Sequence, residues 1–116
     1  MASLCLLGED GIMVNQWALG ERPVAVGRGD TADVIIDDAA VSRRHFEIFR
    51  QGEDYLLRDL NSQNGTWVDG RRTPQATKLH HHDCIRAGRT LFLFSERPPI
   101  PQGELGSARP GNGGPG

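Results

Sequence analysis

The feature that most constrains this chain is the brevity of its apolar runs. From Leu4 to Phe94 each hydrophobic stretch soon meets Gly, Asp, Asn or Pro, and no window of about 11–18 residues holds a helical period. Short runs punctuated in this way read as strands, and a long succession of them reads as a sandwich or barrel. Strands are expected over residues 4–7, 12–19, 23–27, 45–50, 55–59, 66–68, 78–79, 84–87 and 91–94, with 34–36 as a short buried one. Turns fall at Gly8-Glu9-Asp10-Gly11, Gln51-Gly52-Glu53-Asp54, Asp69-Gly70 and Gly88-Arg89.

The pattern stops after Arg97. Residues 98–116 are dominated by Gly and Pro, with Ile100 and Leu105 as the only large apolar side chains. Such a stretch buries too little surface to offset its ordering entropy. The expected organisation is one domain over 1–97 and a disordered linker or tail over 98–116.

Charge narrows the function. The net charge is −2, Lys78 is the only lysine, and the arginines form no basic stripe, which argues against nucleic acid as a partner. No apolar run reaches the roughly 18 residues of a membrane span. The first residues lack the basic start and cleavage site of a signal peptide, so a cytoplasmic protein that does not bind membrane is expected. Cys5 and Cys84 stand in neither redox nor zinc spacing and read as small strand residues.

Three segments are neither strand nor simple turn: 28–33, 37–44 and 61–65. Loops gather at the ends of a sandwich, where binding residues concentrate. A phosphorylated side chain brings a charge of about −1.5 to −2 and strong acceptor oxygens. Its reader needs guanidinium forks, a hydroxyl and exposed N–H groups. Arg28 follows Gly27 at a strand end, and Ser42-Arg43 sit together in a second loop. They supply two guanidinium groups and one hydroxyl, enough for a dianion without a metal.

These residues carry a resemblance. Gly27-Arg28, Ser42-Arg43-Arg44-His45 and Asn61-Ser62-Gln63-Asn64-Gly65-Thr66, in that order, resemble the signature of forkhead-associated (FHA) domains, and the Ser-Arg-Arg-His form resembles bacterial members. Asp33-Val34-Ile35-Ile36-Asp37, Arg58-Asp59-Leu60, Trp67-Val68-Asp69-Gly70 and residues 83–88 extend it over about residues 3–95. The resemblance implies an all-β sandwich of two twisted, mainly antiparallel sheets, about eleven strands in all, with recognition loops at one end. It also implies a phosphothreonine-binding adaptor in Ser/Thr kinase signalling, needing no cofactor. Arg28, Ser42 and Arg43 would meet the phosphate, Asn64 would align the ligand main chain, and Gln63 would help. Gly27, His45, Gly65 and Thr66 would support the site, His45 as a hydrogen-bonding brace and Gly65 at a positive-φ turn position. The implied ligand is a phosphothreonine-bearing protein or peptide, on another chain or on this one, with a Ser/Thr kinase upstream.

Other readings fit less well. Arg28-Gly29-Asp30 spells an adhesion tripeptide, but its arginine is already needed for phosphate. His80-His81-His82-Asp83 could hold a metal, yet on an extended chain only His80 and His82 share a face. His82 also replaces the family's usual turn glycine. No nucleophile elbow, zinc-protease motif or P-loop is present, so no enzyme is expected. Trp17, Trp67, Phe46, Phe49, Phe92 and Phe94 read as core and sheet-edge packing, with the cations mainly in loops. The alternative function is a scaffold of the same fold that assembles through its lateral sheet surface without phosphate.

Overall fold

A computed structural model of the chain describes residues 2–73 and 75–100. The described residues form eleven strands and no helix: β1 (Ala2–Leu7), β2 (Met13–Leu19), β3 (Val24–Gly27), β4 (Val34–Ile35), β5 (Phe46–Gln51), β6 (Asp54–Asp59), β7 (Thr66–Val68), β8 (Arg71–Arg72), β9 (Thr77–Lys78), β10 (Cys84–Ala87) and β11 (Thr90–Ser95). One sheet runs β2-β1-β11-β10-β7-β8 and the other β4-β3-β5-β6-β9. Every pair is antiparallel except β3 with β4. With no helix among the described residues, none is long and apolar enough to cross a membrane.

Alternation along the strands builds the core. In β11, Phe92 and Phe94 point inward while Leu91 and Leu93 are half-buried on the outer face. Phe46 of the facing sheet meets Phe92 edge-on, with ring centroids 5.6 Å apart. Tyr55 packs on Phe94, and its hydroxyl crosses between the sheets to the Leu19 carbonyl at 3.1 Å. A buried phenol thereby keeps its hydrogen bond.

The strand order decides which turns share an end. The β10–β11 turn abuts the loop before β5, because Arg89 N–H and the Thr90 hydroxyl both donate to Asp38 at 2.8 Å. At the far end the chain beyond β11 returns over the six-stranded sheet. The Ser3 hydroxyl donates to the Arg97 carbonyl at 2.9 Å, and Ile100 N–H donates to Gln16 Oε1 at 2.8 Å. Of the segment expected to be a linker, residues 101–116 lie outside the described residues.

Several expectations need correction. Residues 34–36 are not a fully buried strand: Val34 and Ile36 are inside while Ile35 is 57% exposed, as alternation on an edge strand requires. The histidines are not extended. His80 to Asp83 form a turn closed by Asp83 N–H to the His80 carbonyl at 2.9 Å, and the His81 and His82 rings stack 3.7 Å apart. His82 takes a φ of 71°, so the turn keeps a left-handed residue without glycine. Arg50, Arg58, Arg71, Arg72, Lys78 and Arg86 lie on strands, so among the described residues as many cations stand on strands as in loops. Cys5 and Cys84 both pair with Leu93 from opposite sides, two strand spacings or about 10 Å apart, and both are free thiols.

Candidate functional site

Three loops meet at one end of the sandwich, and backbone contact draws the first two together. Arg28 N–H donates to the Ser42 carbonyl at 2.9 Å and Gly29 N–H to the Arg43 carbonyl at 3.0 Å. So close an approach leaves no room for a side chain at position 27. A Cβ there would lie 2.0 Å from the Arg43 carbonyl oxygen. Arg28 is exposed and is aimed by its Nε, which donates to the Val41 carbonyl at 2.9 Å. Its terminal guanidinium nitrogens have no partner among the described residues.

His45 ties these loops to the third. It is fully buried, its Nδ1 accepts the Ser42 N–H at 2.9 Å, and its Nε2 lies 2.7 Å from the Gly65 carbonyl. With Nδ1 accepting, the ring proton sits on Nε2 and donates to that carbonyl. Both nitrogens are committed to backbone, so His45 cannot activate the Ser42 hydroxyl as a base would. That hydroxyl instead accepts the Gln63 N–H at 3.0 Å.

Asp59 shapes the third loop. Its carboxylate accepts the Ser62 and Thr66 hydroxyls, each at 2.6 Å, and the Ser62 N–H at 3.0 Å. Ser62 in turn accepts the Gly65 N–H at 2.9 Å, and Gly65 has a φ of 87°. Burial alone would raise the Asp59 pKa, but the Ser62 and Thr66 hydroxyls and the Ser62 N–H, all donating to the carboxylate, hold it below the ordinary aspartate value. Asp38 does the same for the second loop. Against the effect of its burial, the Ala40 N–H, Thr90 hydroxyl, Arg89 N–H and Arg89 charge keep its pKa low.

The expected residues therefore converge. Arg28, Arg43, Gln63 and Asn64 are exposed and Ser42 is half-buried, all on loops bonded to one another. Asn64 donates from Nδ2 to the Ala40 carbonyl at 2.8 Å, leaving its Oδ1 and one N–H for a ligand. Gly27, His45, Gly65 and Thr66 lie behind them, and all four are buried. The ion pairs among the described residues involve Arg58, Lys78 and His80, so the cations at this end carry no internal counterion. Cations, a hydroxyl and an aligned amide can hold an oxyanion attached to a peptide.

Sequence reasoning missed Asp59, seen only as part of a pattern, and the reach of Asp38. An Asp followed three residues later by Ser and seven later by Thr is a weak local signal of a side-chain-built loop. The bond from Asp38 to residues 89 and 90 spans more than fifty positions and has no local signal.

Comparison with known proteins points the same way. A family profile described as FHA domain matches residues 24–88. The chain is 35% identical over 80 residues to the oxoglutarate dehydrogenase inhibitor of Corynebacterium jeikeium, covering 69% of this chain and 55% of that protein. It thus spans about half the length of that curated relative. Among solved structures it is similar to an FHA domain from work on phosphothreonine-dependent FHA interactions. That match has a TM-score of 0.74 and 36% identity and covers 84% of this chain and 98% of the other. It is also similar to Mycobacterium tuberculosis EmbR in complex with a low-affinity phosphopeptide. There the TM-score is 0.76 and the identity 30%, over 86% of this chain and 25% of EmbR.

Proposed function

The chain belongs to the FHA domain family, and we propose that it acts as a phosphothreonine-dependent adaptor, recruiting partners that a Ser/Thr kinase has marked. The observation that carries this reading is the junction of loops at which Arg28, Ser42 and Arg43 stand without internal counterions, beside Asn64. Arg28 and Arg43 meet the phosphate charge, and the Ser42 hydroxyl donates to a phosphate oxygen while still accepting from Gln63. Asn64 bonds the ligand main chain and sets its direction, with Gln63 beside it.

The reading is of a binding module rather than an enzyme. Ser42 has no base, because both His45 nitrogens serve the backbone. Preference for phosphothreonine over phosphoserine needs more than contact with the extra methyl, which is worth only about 0.8 kcal/mol. The remainder comes from holding one ligand rotamer.

Two-dimensional NMR titration of the labelled chain with a phosphothreonine peptide tests the location. The Arg28, Ser42, Arg43 and Asn64 backbone resonances should shift most. Shifts confined to the sheet faces would instead support phosphate-independent assembly.

A further inference from the structure

A row of side chains crosses the outer face of the six-stranded sheet near the recognition loops. By strand register it runs Arg72 on β8, Trp67 on β7, Arg86 on β10, Leu91 on β11 and Leu7 on β1. None of these residues belongs to the core. Trp67 is half-buried, and both neighbouring guanidinium groups lie over its ring, Arg86 at 4.5 Å and Arg72 at 5.8 Å from the centroid. Neither arginine has a carboxylate partner among the described residues. One indole thus carries a guanidinium group from the strand on either side, with no carboxylate among the described residues to balance them.

This platform adjoins the recognition loops. The Arg72 guanidinium lies so close to Gly65 that a Cβ there would fall 2.7 Å from its Nε. Gly65 directly follows Asn64, the residue assigned to the ligand main chain. A peptide held at Asn64 leaves the phosphate site next to the platform.

We propose that Arg72, Trp67 and Arg86 form a second subsite for the same ligand, one that takes a carboxylate side chain flanking the phosphothreonine. Guanidinium forks match carboxylates bidentately, and the indole behind them restricts the arginines before the ligand arrives. The subsite selects among phosphopeptides; it does not create phosphate dependence. The inference rests on the phosphothreonine reading, and the two fail differently.

The test compares phosphothreonine peptides by fluorescence anisotropy on the full chain at low salt. One set carries glutamates about two to five residues to either side of the phosphothreonine, within reach of an extended chain. The matched set carries alanine there. The wild type should bind the best glutamate peptide roughly 3- to 10-fold more tightly than its alanine counterpart, the worth of one or two exposed ion pairs. The R72Q/R86Q variant should lose that preference while binding the alanine peptide as before. Equal binding of both sets by the wild type overturns the subsite and leaves the phosphate reading intact. So does a preference that survives in the variant. If no phosphothreonine peptide binds, both readings fail together. The wild-type comparison decides the matter even should the variant misfold.

Discussion

The Ser42 hydroxyl accepts the Gln63 N–H at 3.0 Å across twenty-one residues of sequence. The side chain assigned to the phosphate is thus also a clasp between two loops. One hydroxyl serves both because it can accept from the backbone and donate to the ligand at once.

Ser42→Ala should therefore damage binding more than stability. A hydrogen bond to a charged group is worth about 1.5–3 kcal/mol and an ordinary one about 0.5–1.5. Calorimetric titration should show at least about a 10-fold loss of phosphopeptide affinity. The unfolding free energy should fall by no more than about 1.5 kcal/mol. A larger loss of stability than of binding would show that the hydroxyl is chiefly a clasp.

His45→Ala should reverse that order. The residue is fully buried and serves Ser42 N–H and the Gly65 carbonyl, so its removal orphans two polar groups and opens a void. Each orphan costs about 1–3 kcal/mol, and urea denaturation should register a loss of several kcal/mol. Unchanged stability would contradict the assignment of His45 as the joint between loops.

Gly27→Ala tests the loop junction sterically. Its Cβ would collide with the Arg43 backbone, which cannot swing aside as a side chain can. A loss of about 1–3 kcal/mol or more is expected, together with weakened phosphopeptide binding. Gly20→Ala is the control: beyond its chain neighbours nothing would lie within 4 Å of a Cβ there, and no change beyond about 0.5 kcal/mol should follow.

Acid should loosen the site through Asp59. Its folded pKa is depressed, so its contribution is fully present above the ordinary aspartate value of about 3.9 and is lost as pH falls through the folded one. Asp83 has the opposite sign: burial and the adjacent Asp69 carboxylate raise its pKa, so its proton uptake favours the folded state as pH falls. Urea midpoints measured downward from neutral pH should fall in acid for the wild type and change less for Asp59→Asn. Parallel curves for the two proteins would remove Asp59 from the account.

Much of the fold was legible because strands with one buried face announce themselves. The short apolar runs Tyr55-Leu56-Leu57 and Leu91-Phe92-Leu93-Phe94, each bounded by turn-forming or charged residues, suffice to mark them. β8 was not legible, since Arg71 and Arg72 are both exposed and form a strand only by pairing with Val68 and Trp67. The candidate residues drew notice because Arg, Ser and Asn gathered in loops exceed what turning the chain requires. Asp59, Asp38 and the Arg72–Trp67–Arg86 row were not visible as working groups, because each acts through neighbours that only the tertiary fold supplies.

The most direct measurement of the central claim is binding of matched phosphothreonine and unphosphorylated peptides to the wild type and to Arg28→Ala. Arg28 is exposed and lies outside the core, so its loss should leave the fold intact. The wild type should bind only the phosphorylated peptide, more weakly as salt is raised, and Arg28→Ala should lose at least about 10-fold in affinity. Equal binding of the two peptides, or an Arg28→Ala protein that binds as tightly as the wild type, would contradict the account.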